Sequence, residues 1–378
     1  MSSSNFIVTE HTSPRPYIRQ YPHAVKRDEA VLQLAVKEYR PRTANATNPE
    51  DVTIIAAHAN GFPKKELGDD PNWTDHSLDL LLMINKFRDR MKPPFVGIGH
   101  SMGCAHLVYL ASIHPRLFQG LILVNPILRA SHPPGPNSAL FSSKRRETWE
   151  SRTKAESQTS GNPFFASMDP RALNLFLQHA LRDTPDGGVT LSTPKAQEAW
   201  SYVRSCLHDL NEDTPDGRQR ERILNPYDTP FSHGGKVLTA RGELQVICEV
   251  LPHLRPRTFF MYGEYSHINY DEVREYHVST TGAVPGGNGG VSEGGVKQLV
   301  LEESGHLCVF EKPGVIAKAM SSWLSDEVER WKQEKEFRTV VDTGKSKNDR
   351  TELSDKCMAV MKEDTSAERP KAADKAKL

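Results

Sequence analysis

The strongest constraint on the fold is a serine between two glycines, where a strand pattern meets a helix pattern. Gly99-His100-Ser101-Met102-Gly103 follows the apolar run 95–99 and opens the helical pattern 103–113. Glycines permit a tight strand-to-helix turn, which exposes the serine Oγ beside the first N–H groups of the helix. The motif predicts Ser101 as a nucleophile and the N–H of Met102 as one oxyanion donor. An ordinary glycine–serine turn is the alternative reading.

Apolar runs alternate with helical patterns over the first third of the chain. Strands are predicted at 31–36, 52–57, 95–99 and 120–124, and helices at 73–91 and 103–113. Continuous apolar runs are typical of strands buried on both faces, and their alternation with helices predicts a parallel α/β sheet. Two more strand patterns, 258–262 and 296–301, flank a loop containing seven glycines between residues 282 and 295.

Composition divides the chain into four parts. Residues 1–130 are predicted to form the N-terminal part of the α/β core, and residues 232–325 its C-terminal part. Between them, residues 131–231 are polar, with helical patterns at 169–181 and 194–207, and are interpreted as a helical lid. Residues 326–378 are rich in Lys and Glu, which predicts a charged helix and a disordered tail.

One connection is shorter than this kind of sheet needs. Only 32 residues separate Phe62 from Phe95. Two helices, a strand and their loops would need about 45 residues. The spacing therefore predicts that one helix and one strand are lacking between residues 62 and 72, which would open the sheet and expose backbone hydrogen-bonding groups.

A histidine and a carboxylate should complete the site downstream, in the order serine, acid, histidine. His306 follows the last strand pattern and is the predicted general base, although a surface histidine is the alternative. The acid is harder to assign. Asn125 follows the strand at 120–124 but carries no charge, so Glu264, after the strand at 258–262, is the predicted acid, with Asp271 next. A surface role for Glu264 is equally compatible with the sequence.

The second oxyanion donor should come from the loop after the strand at 52–57. This loop reads His58-Ala59-Asn60-Gly61-Phe62, and Gly61 allows a close backbone approach. Asn60, Gly61 and Phe62 are all candidates, and Phe62 is favoured. His58 is expected to shape the loop and not to take part in the chemistry.

These motifs resemble those of fungal peroxisomal α/β-hydrolases of the AK-toxin biosynthesis type, which are related to peroxisomal lipases. The resemblance covers roughly residues 1–325 and rests on five motifs: His58–Phe62, Trp73–His76, Ile98–Gly103, the glycine-rich loop and Gly305–Pro313. It implies an α/β-hydrolase fold, with Ser101 as nucleophile and His306 as base. The family's acid does not carry over, because Asn125 and Ser266 occupy the places where a carboxylate is expected.

The chain ends in Ala376-Lys377-Leu378, a variant of the Ser-Lys-Leu peroxisomal address. Upstream Lys371 and Lys375 add positive charge to a tail predicted to be accessible. The tripeptide predicts localisation in the peroxisome and an import receptor as a partner. The polar N-terminus, which lacks an apolar signal core, and five scattered cysteines agree with an intracellular compartment.

Charge and spacing argue against other classes of function. The chain has 48 basic and 48 acidic residues, so no overall field favours nucleic acid, even for the lysine-rich tail. It contains no run of about 18 apolar residues, so no membrane span is expected. The cysteines lack zinc-ligand spacing, and neither a metal nor a cofactor is expected.

Together these features predict a peroxisomal serine hydrolase that cleaves an ester or acyl thioester of a small-molecule acyl substrate. The resemblance implies a role in making a fatty-acid- or polyketide-derived host-selective toxin of the decatrienoic-acid type. The alternative is a catalytically impaired or non-catalytic scaffold of the same fold, which the uncertain acid and the short connection both favour.

Overall fold

The structure is a computed structural model that describes residues 5–16, 18–19, 30–43, 51–59, 72–129, 137–202 and 242–363. Contacts divide the chain into two compact units, residues 1–327 and 328–378. The first unit contains a sheet, the helices that cover it and an inserted region. The second contains the end of a long helix and two short helices.

Ten strands occur among the described residues. They are β1 (Phe6–Pro14), β2 (Gln33–Pro41), β3 (Thr53–Ala57), β4 (Phe95–His100), β5 (Gly120–Val124), β6 (Thr148–Trp149), β7 (Leu181–Asp183), β8 (Val189–Leu191), β9 (Arg257–Gly263) and β10 (Val296–Leu301). The described α-helices are α1 (Trp73–Lys86), α2 (Met102–Ile113), α3 (Ser138–Lys144), α4 (Arg152–Ser160), α5 (Pro163–Ala166), α6 (Pro170–Ala180), α7 (Lys195–Trp200), α8 (Gly242–Val250), α9 (Asp271–Thr280), α10 (Cys308–Glu311), α11 (Pro313–Thr343), α12 (Lys347–Thr351) and α13 (Asp355–Glu363). Two short 3-10 helices, Arg88–Arg90 and Leu251–His253, follow α1 and α8.

The central sheet has five parallel strands in the order β10-β9-β5-β4-β3. All five residues of β5 are buried, as expected for a central strand covered on both faces. Successive side chains of β5 point to opposite faces, so Leu121 and Leu123 join one core while Ile122 and Val124 join the other. The predicted mostly parallel sheet is thereby confirmed.

Helices cover both faces of this sheet. On one face, α2 packs its buried side chains against α1, α8 and the strands. On the other face, Trp323 and Ile316 of α11 pack against Phe259, Val96 and Ile122. The carboxyl ends of the parallel strands meet at one edge of the sheet, and the loops after β4, β5, β9 and β10 lie together there.

The sheet ends at β3. Among the described residues β3 pairs with β4 alone, and β1 and β2 form a separate antiparallel pair. The connection in which a helix and a strand are predicted to be lacking falls on residues 60–71, which lie outside the described part.

The inserted region contains more than helices. Helices α6 and α7 lie within the predicted patterns 169–181 and 194–207, and α6 begins with Pro170 after the cap Asp169. Helices α3, α4 and α5 were not predicted. A three-stranded antiparallel sheet, in the order β6-β8-β7, was not predicted. It encloses a small core of its own around Ala155, Leu181 and Val189. The amide of Asp169 donates to the carbonyl oxygen of Phe310 at 2.8 Å, which joins this region to α10.

Candidate active site

The serine lies on a strained turn between β4 and α2. Ser101 has a φ of 55° and a ψ of −115°, a conformation that few non-glycine residues adopt. Both flanking glycines are required by close packing. A Cβ on Gly103 would lie 2.1 Å from the carbonyl oxygen of Ala57 in β3, and a Cβ on Gly99 would lie 2.8 Å from the backbone of Cys104. Close packing with β3 and α2 therefore dictates the sequence around the serine.

The predicted oxyanion donors are only partly described. Met102 is the first residue of α2, so its N–H has no acceptor within the helix. This N–H can face negative charge that develops beside Ser101. Phe62, the other predicted donor, lies outside the described residues, as do Asn60 and Gly61. His58 is described, and its Nδ1 lies 2.7 Å from the carbonyl oxygen of Ala59, within its own loop.

His306 lies in the loop between β10 and α10, and the fold brings it to the serine. Its Nε2 is 3.0 Å from the Oγ of Ser101. Removal of the ring from water lowers the pKa of His306 well below its usual value, and the imidazoles of His100 and His267 lower it further. A neutral imidazole at this distance can take the serine proton.

The other imidazole nitrogen of His306 faces a hydroxyl. The Nδ1 of His306 is 3.3 Å from the Oγ of Ser266, a buried residue in the loop after β9. The Ser266 hydroxyl donates to the Oδ1 of Asn269 at 3.4 Å, and the amide of Asn269 is oriented by its donation to the carbonyl oxygen of Pro126 at 2.8 Å. Because the hydroxyl has one proton, Ser266 must accept from His306. The proton of the neutral ring is then on Nδ1, which leaves Nε2 free to act as a base.

The structure does not bring Glu264 to this imidazole. The Oε2 of Glu264 accepts the backbone N–H of Glu303 at 2.7 Å, and the side chain is exposed. Asp271 begins α9, is also exposed, and pairs with Arg274 at 3.2 Å. Within the described residues, no carboxylate hydrogen-bonds to Nδ1 of His306. Proximity in sequence suggested Glu264, but its side chain turns toward the loop after β10.

Asn125, the other uncharged residue in an expected acid position, supports the loop of the histidine. It has a φ of 43°, which asparagine tolerates better than most residues. Its Oδ1 accepts from the N–H of Gly263 at 3.0 Å. Its Nδ2 donates to the carbonyl oxygens of Gly305 at 3.2 Å and His306 at 3.0 Å. The amide therefore contacts the main chain of the histidine and not its ring.

Sequence reasoning missed three side chains that complete this arrangement. Asn269 orients Ser266, His100 approaches the carbonyl oxygen of His306, and Glu311 accepts the N–H of Gly305 at 2.6 Å. The position of His100, directly before the serine, was a usable signal. No such signal pointed to Asn269, because its role depends on the hydroxyl of Ser266, to which the sequence assigned no role.

Among the described residues, no cluster of three or more His, Cys, Asp or Glu side chains is arranged to hold a metal ion. In the same part of the chain, no helix has the length and apolar character needed to cross a membrane.

A sequence model of the alpha/beta hydrolase family matches residues 56–319, a range that includes Ser101 and His306. The chain belongs to this family. The family assignment confirms the fold class predicted from the serine motif, and the parallel sheet with helices on both faces agrees with it.

Several relatives of this α/β hydrolase are known. It is 32% identical to the type I acyl-CoA thioesterase mpaH of Penicillium roqueforti and 31% identical to mpaH' of Penicillium brevicompactum, over 88% of this chain and 90% of each relative. It is 25% identical to the abhydrolase domain-containing protein ACTT2-2 of Alternaria alternata, over 68% of this chain and 95% of the relative.

The fold is shared with a solved structure of known compartment. The peroxisomal alpha-beta-hydrolase Lpx1 of Saccharomyces cerevisiae superimposes with a TM-score of 0.61 over 99% of both chains, at 15% identity. At this identity the likeness concerns the fold alone. Together with the Alternaria relatives, which include AKT2, it confirms the resemblance drawn from the sequence motifs.

Proposed function

We propose that this α/β hydrolase cleaves acyl thioesters, with Ser101 as nucleophile and His306 as general base. The observation that carries the proposal is the 3.0 Å distance between the Oγ of Ser101 and the Nε2 of His306, at the strained turn between β4 and α2. The identity to acyl-CoA thioesterases over 88% of the chain supports a thioester of coenzyme A as substrate.

In the proposed reaction, Ser101, His306 and Met102 each act through one atom. The Nε2 of His306 takes the proton of Ser101, the Oγ attacks the thioester carbonyl, and the N–H of Met102 stabilises the resulting oxyanion. The C–S bond then breaks, which gives an acyl-serine and a thiolate that takes the proton from His306. Water, activated by the same imidazole, hydrolyses the acyl-serine to a free acid and restores the hydroxyl.

The absence of a carboxylate at Nδ1 of His306, within the described residues, favours a thioester over an oxygen ester. A triad acid stabilises the imidazolium, and the hydroxyl of Ser266 does this only weakly. A thiol has a pKa of about 8.5, so it leaves as a thiolate without needing to be protonated first. An alkoxide is a far stronger base and depends more on the acid.

A fluorophosphonate probe tests the nucleophile. We expect the purified protein to be labelled on Ser101 and Ser101→Ala to remain unlabelled, with Ser112→Ala, a change to another serine in a helix near the sheet, as the matched control. Labelled protein should lose thioester hydrolysis in proportion to labelling. Equal labelling of wild type and Ser101→Ala would overturn the assignment of the nucleophile.

A substrate pair tests the thioester. An acyl-CoA and an oxygen ester with the same acyl chain are compared by kcat/KM, and the thioester should be preferred by more than about 10-fold. Ser266→Asp should lower the ratio of the two kcat/KM values. A carboxylate at Nδ1 of His306 assists departure of the alkoxide, the poorer leaving group, more than departure of the thiolate. A preference for the oxygen ester would contradict the argument from the leaving group.

The second candidate is an impaired or non-catalytic hydrolase, and the hydroxyl at Nδ1 of His306 is the observation that favours it. Ser266→Asp separates the two. Loss of a triad acid costs up to about 10⁴ in kcat, so its restoration should raise kcat at least about 10-fold. Ser266→Asn, similar in shape but uncharged, is the control. Turnover in Ser266→Asp together with none in wild type would establish the impaired hydrolase.

We also propose a peroxisomal location, and a role in the synthesis of a fatty-acid- or polyketide-derived toxin of the decatrienoic-acid type. Ala376-Lys377-Leu378 supports the location and would bind the import receptor, although it lies outside the described residues. A fluorescent protein fused to the N-terminus should enter peroxisomes, and removal of these three residues should leave it outside. Import of the truncated chain would contradict the tripeptide as the address.

A further inference from the structure

Two side chains from the core hold the main chain of His306. Its carbonyl oxygen accepts from the Nε2 of His100 at 3.0 Å and from the Nδ2 of Asn125 at 3.0 Å. One residue earlier, the N–H of Gly305 donates to the carboxylate of Glu311 at 2.6 Å. Three side chains from different parts of the chain thus converge on two consecutive residues.

His100 is built to be a neutral donor. It is buried, and burial lowers its pKa to about 4, so the ring is uncharged near neutral pH. A carbonyl oxygen can only accept a hydrogen bond, so the single proton of the neutral ring must be on Nε2. The ring also lies against that of His306, with centroids 5.5 Å apart, and against Phe310 at 6.1 Å.

A triad acid does two things: it orients the imidazole and it stabilises the imidazolium. In the described residues, Nδ1 of His306 has a hydroxyl as its partner, with a 3.3 Å contact that holds the ring weakly. The carbonyl oxygen of the same residue is held by two donors at 3.0 Å. The main chain of His306 is therefore held by shorter hydrogen bonds than its Nδ1 is.

We propose that His100 is a positioning residue, which, together with Asn125, holds His306 in reach of Ser101 through the carbonyl oxygen of His306. This inference rests on the proposed function. His100 directly precedes Ser101 at the end of β4, so one short segment carries the nucleophile and also fixes the base. A shift of the loop away from β4 would lengthen the 3.0 Å contact between the two catalytic atoms.

Replacement of His100 by glutamine or by asparagine tests its hydrogen bond to the carbonyl oxygen of His306. Both side chains end in an amide, but they differ in length. The amide nitrogen of glutamine lies four bonds from Cα, as Nε2 of histidine does, whereas that of asparagine lies three bonds away. We expect His100→Asn to lower kcat for acyl-CoA hydrolysis by about 10² with little change in KM, because a small misplacement of a catalytic group costs about that much. His100→Gln should keep kcat within about 3-fold of wild type.

The same substitutions in a Ser266→Asp background separate positioning from folding. A carboxylate at Nδ1 would orient the ring by itself, so the loss from His100→Asn should shrink to less than about 10-fold in that background. The unfolding midpoints of all variants are measured alongside. Equal losses in both backgrounds, or full kcat in His100→Asn, would overturn the proposal.

A measurement on the unaltered protein avoids any doubt about folding. The ¹⁵N chemical shifts of the imidazoles near neutral pH should show His100 neutral with its proton on Nε2. A proton on Nδ1 would leave Nε2 with nothing to donate and would overturn the proposal. This outcome is distinct from failure of the proposed function, which would appear as absence of probe labelling on Ser101.

Discussion

The proposed chemistry depends on the imidazole of His306, which must take a proton from Ser101. The protonation state of this ring therefore sets the pH range over which the site can work. Its pKa is held well below 6.5 by removal from water and by His100 and His267. Among the described residues, the groups that face the ring are the hydroxyls of Ser101 and Ser266 and these two imidazoles. None of these groups carries a negative charge that would raise the pKa.

A base must be neutral to take a proton, so a lowered pKa extends activity toward acid. We expect the acid limb of kcat/KM to lie below pH 6.5, measured with an acyl-CoA substrate across a buffer series. Ser266→Asp should move this limb upward, because a carboxylate at Nδ1 favours the imidazolium. A wild-type limb above pH 6.5 would contradict the environment described for His306.

Prediction of individual residues succeeded where the position along the chain is enough to bring a residue to the site. It failed where the direction of the side chain determines which atoms it contacts. The order of strands was enough to predict that Ser101 and His306 would lie at one edge of the sheet. The sequence also located the two uncharged residues in the expected acid positions, Asn125 and Ser266. It could not show that the side chain of Glu264 hydrogen-bonds to the N–H of Glu303. The same local sequence is compatible with a side chain that points toward His306 and with one that points away from it.

At the scale of elements, the contact between α2 and β3 sets the position of the serine. Gly103 is the second residue of α2, and its Cα faces the backbone of Ala57. A Cβ there would lie 2.1 Å from a carbonyl oxygen that belongs to a strand of the sheet and cannot rotate away. The helix would have to move, and the turn that carries Ser101 would move with it.

Gly103→Ala is therefore expected to be strongly destabilising, by about 2 kcal/mol or more, as overpacking in a core commonly is. Gly314→Ala is the matched control, because Gly314 is also the second residue of a helix, α11, and has no atom within 4 Å of an added Cβ. It should change the free energy of unfolding by at most about 1 kcal/mol, toward greater stability. Denaturant unfolding of both variants measures the difference, and equal stability would contradict the close contact.

Strand β5 was predictable because it buries a continuous apolar run, and the run at 120–124 coincides with its bounds. The pattern at 296–301 also coincides with β10, although only Val296 and Leu301 of that strand are buried. The small sheet of the inserted region was not predictable. Its strands are two or three residues long, too short to show a period of two in the sequence. Strand β1 was missed as well, because most of its side chains are exposed and carry no apolar pattern.

At the scale of the whole molecule, the described residues form a central sheet of five parallel strands and, apart from it, an antiparallel pair, β1 and β2. Counting residues between Phe62 and Phe95 predicts a lost helix and strand, because segment lengths are constrained by geometry. This stays a prediction, since residues 60–71 lie outside the described part of the chain.

Buried histidines should make the stability of the whole fold depend on pH. His100 and His277 are buried and neutral, with pKa values lowered to about 4 by removal from water. In the unfolded chain they titrate near 6.5, so between about pH 6.5 and pH 4 the unfolded state binds more protons. Their contribution is fully present above pH 6.5 and is lost as the pH falls toward 4. The lowered pKa of His306 acts in the same direction.

For each of the two histidines the linkage relation gives a loss of about 2 kcal/mol between pH 7 and pH 5. His277→Gln tests this, because a glutamine amide can still donate to the carbonyl oxygen of Leu128, 2.7 Å from Nε2, but cannot titrate. The variant loses the 3.2 Å contact with the hydroxyl of Tyr262, so its stability near pH 7 should be somewhat lower. The free energy of unfolding that the variant loses between pH 7 and pH 5, measured by denaturant unfolding, should nevertheless be smaller than the loss in wild type by about 2 kcal/mol. If wild type and variant lost equal stability over this range, protonation of His277 would not be coupled to unfolding, and the buried neutral ring would be the wrong description of its state.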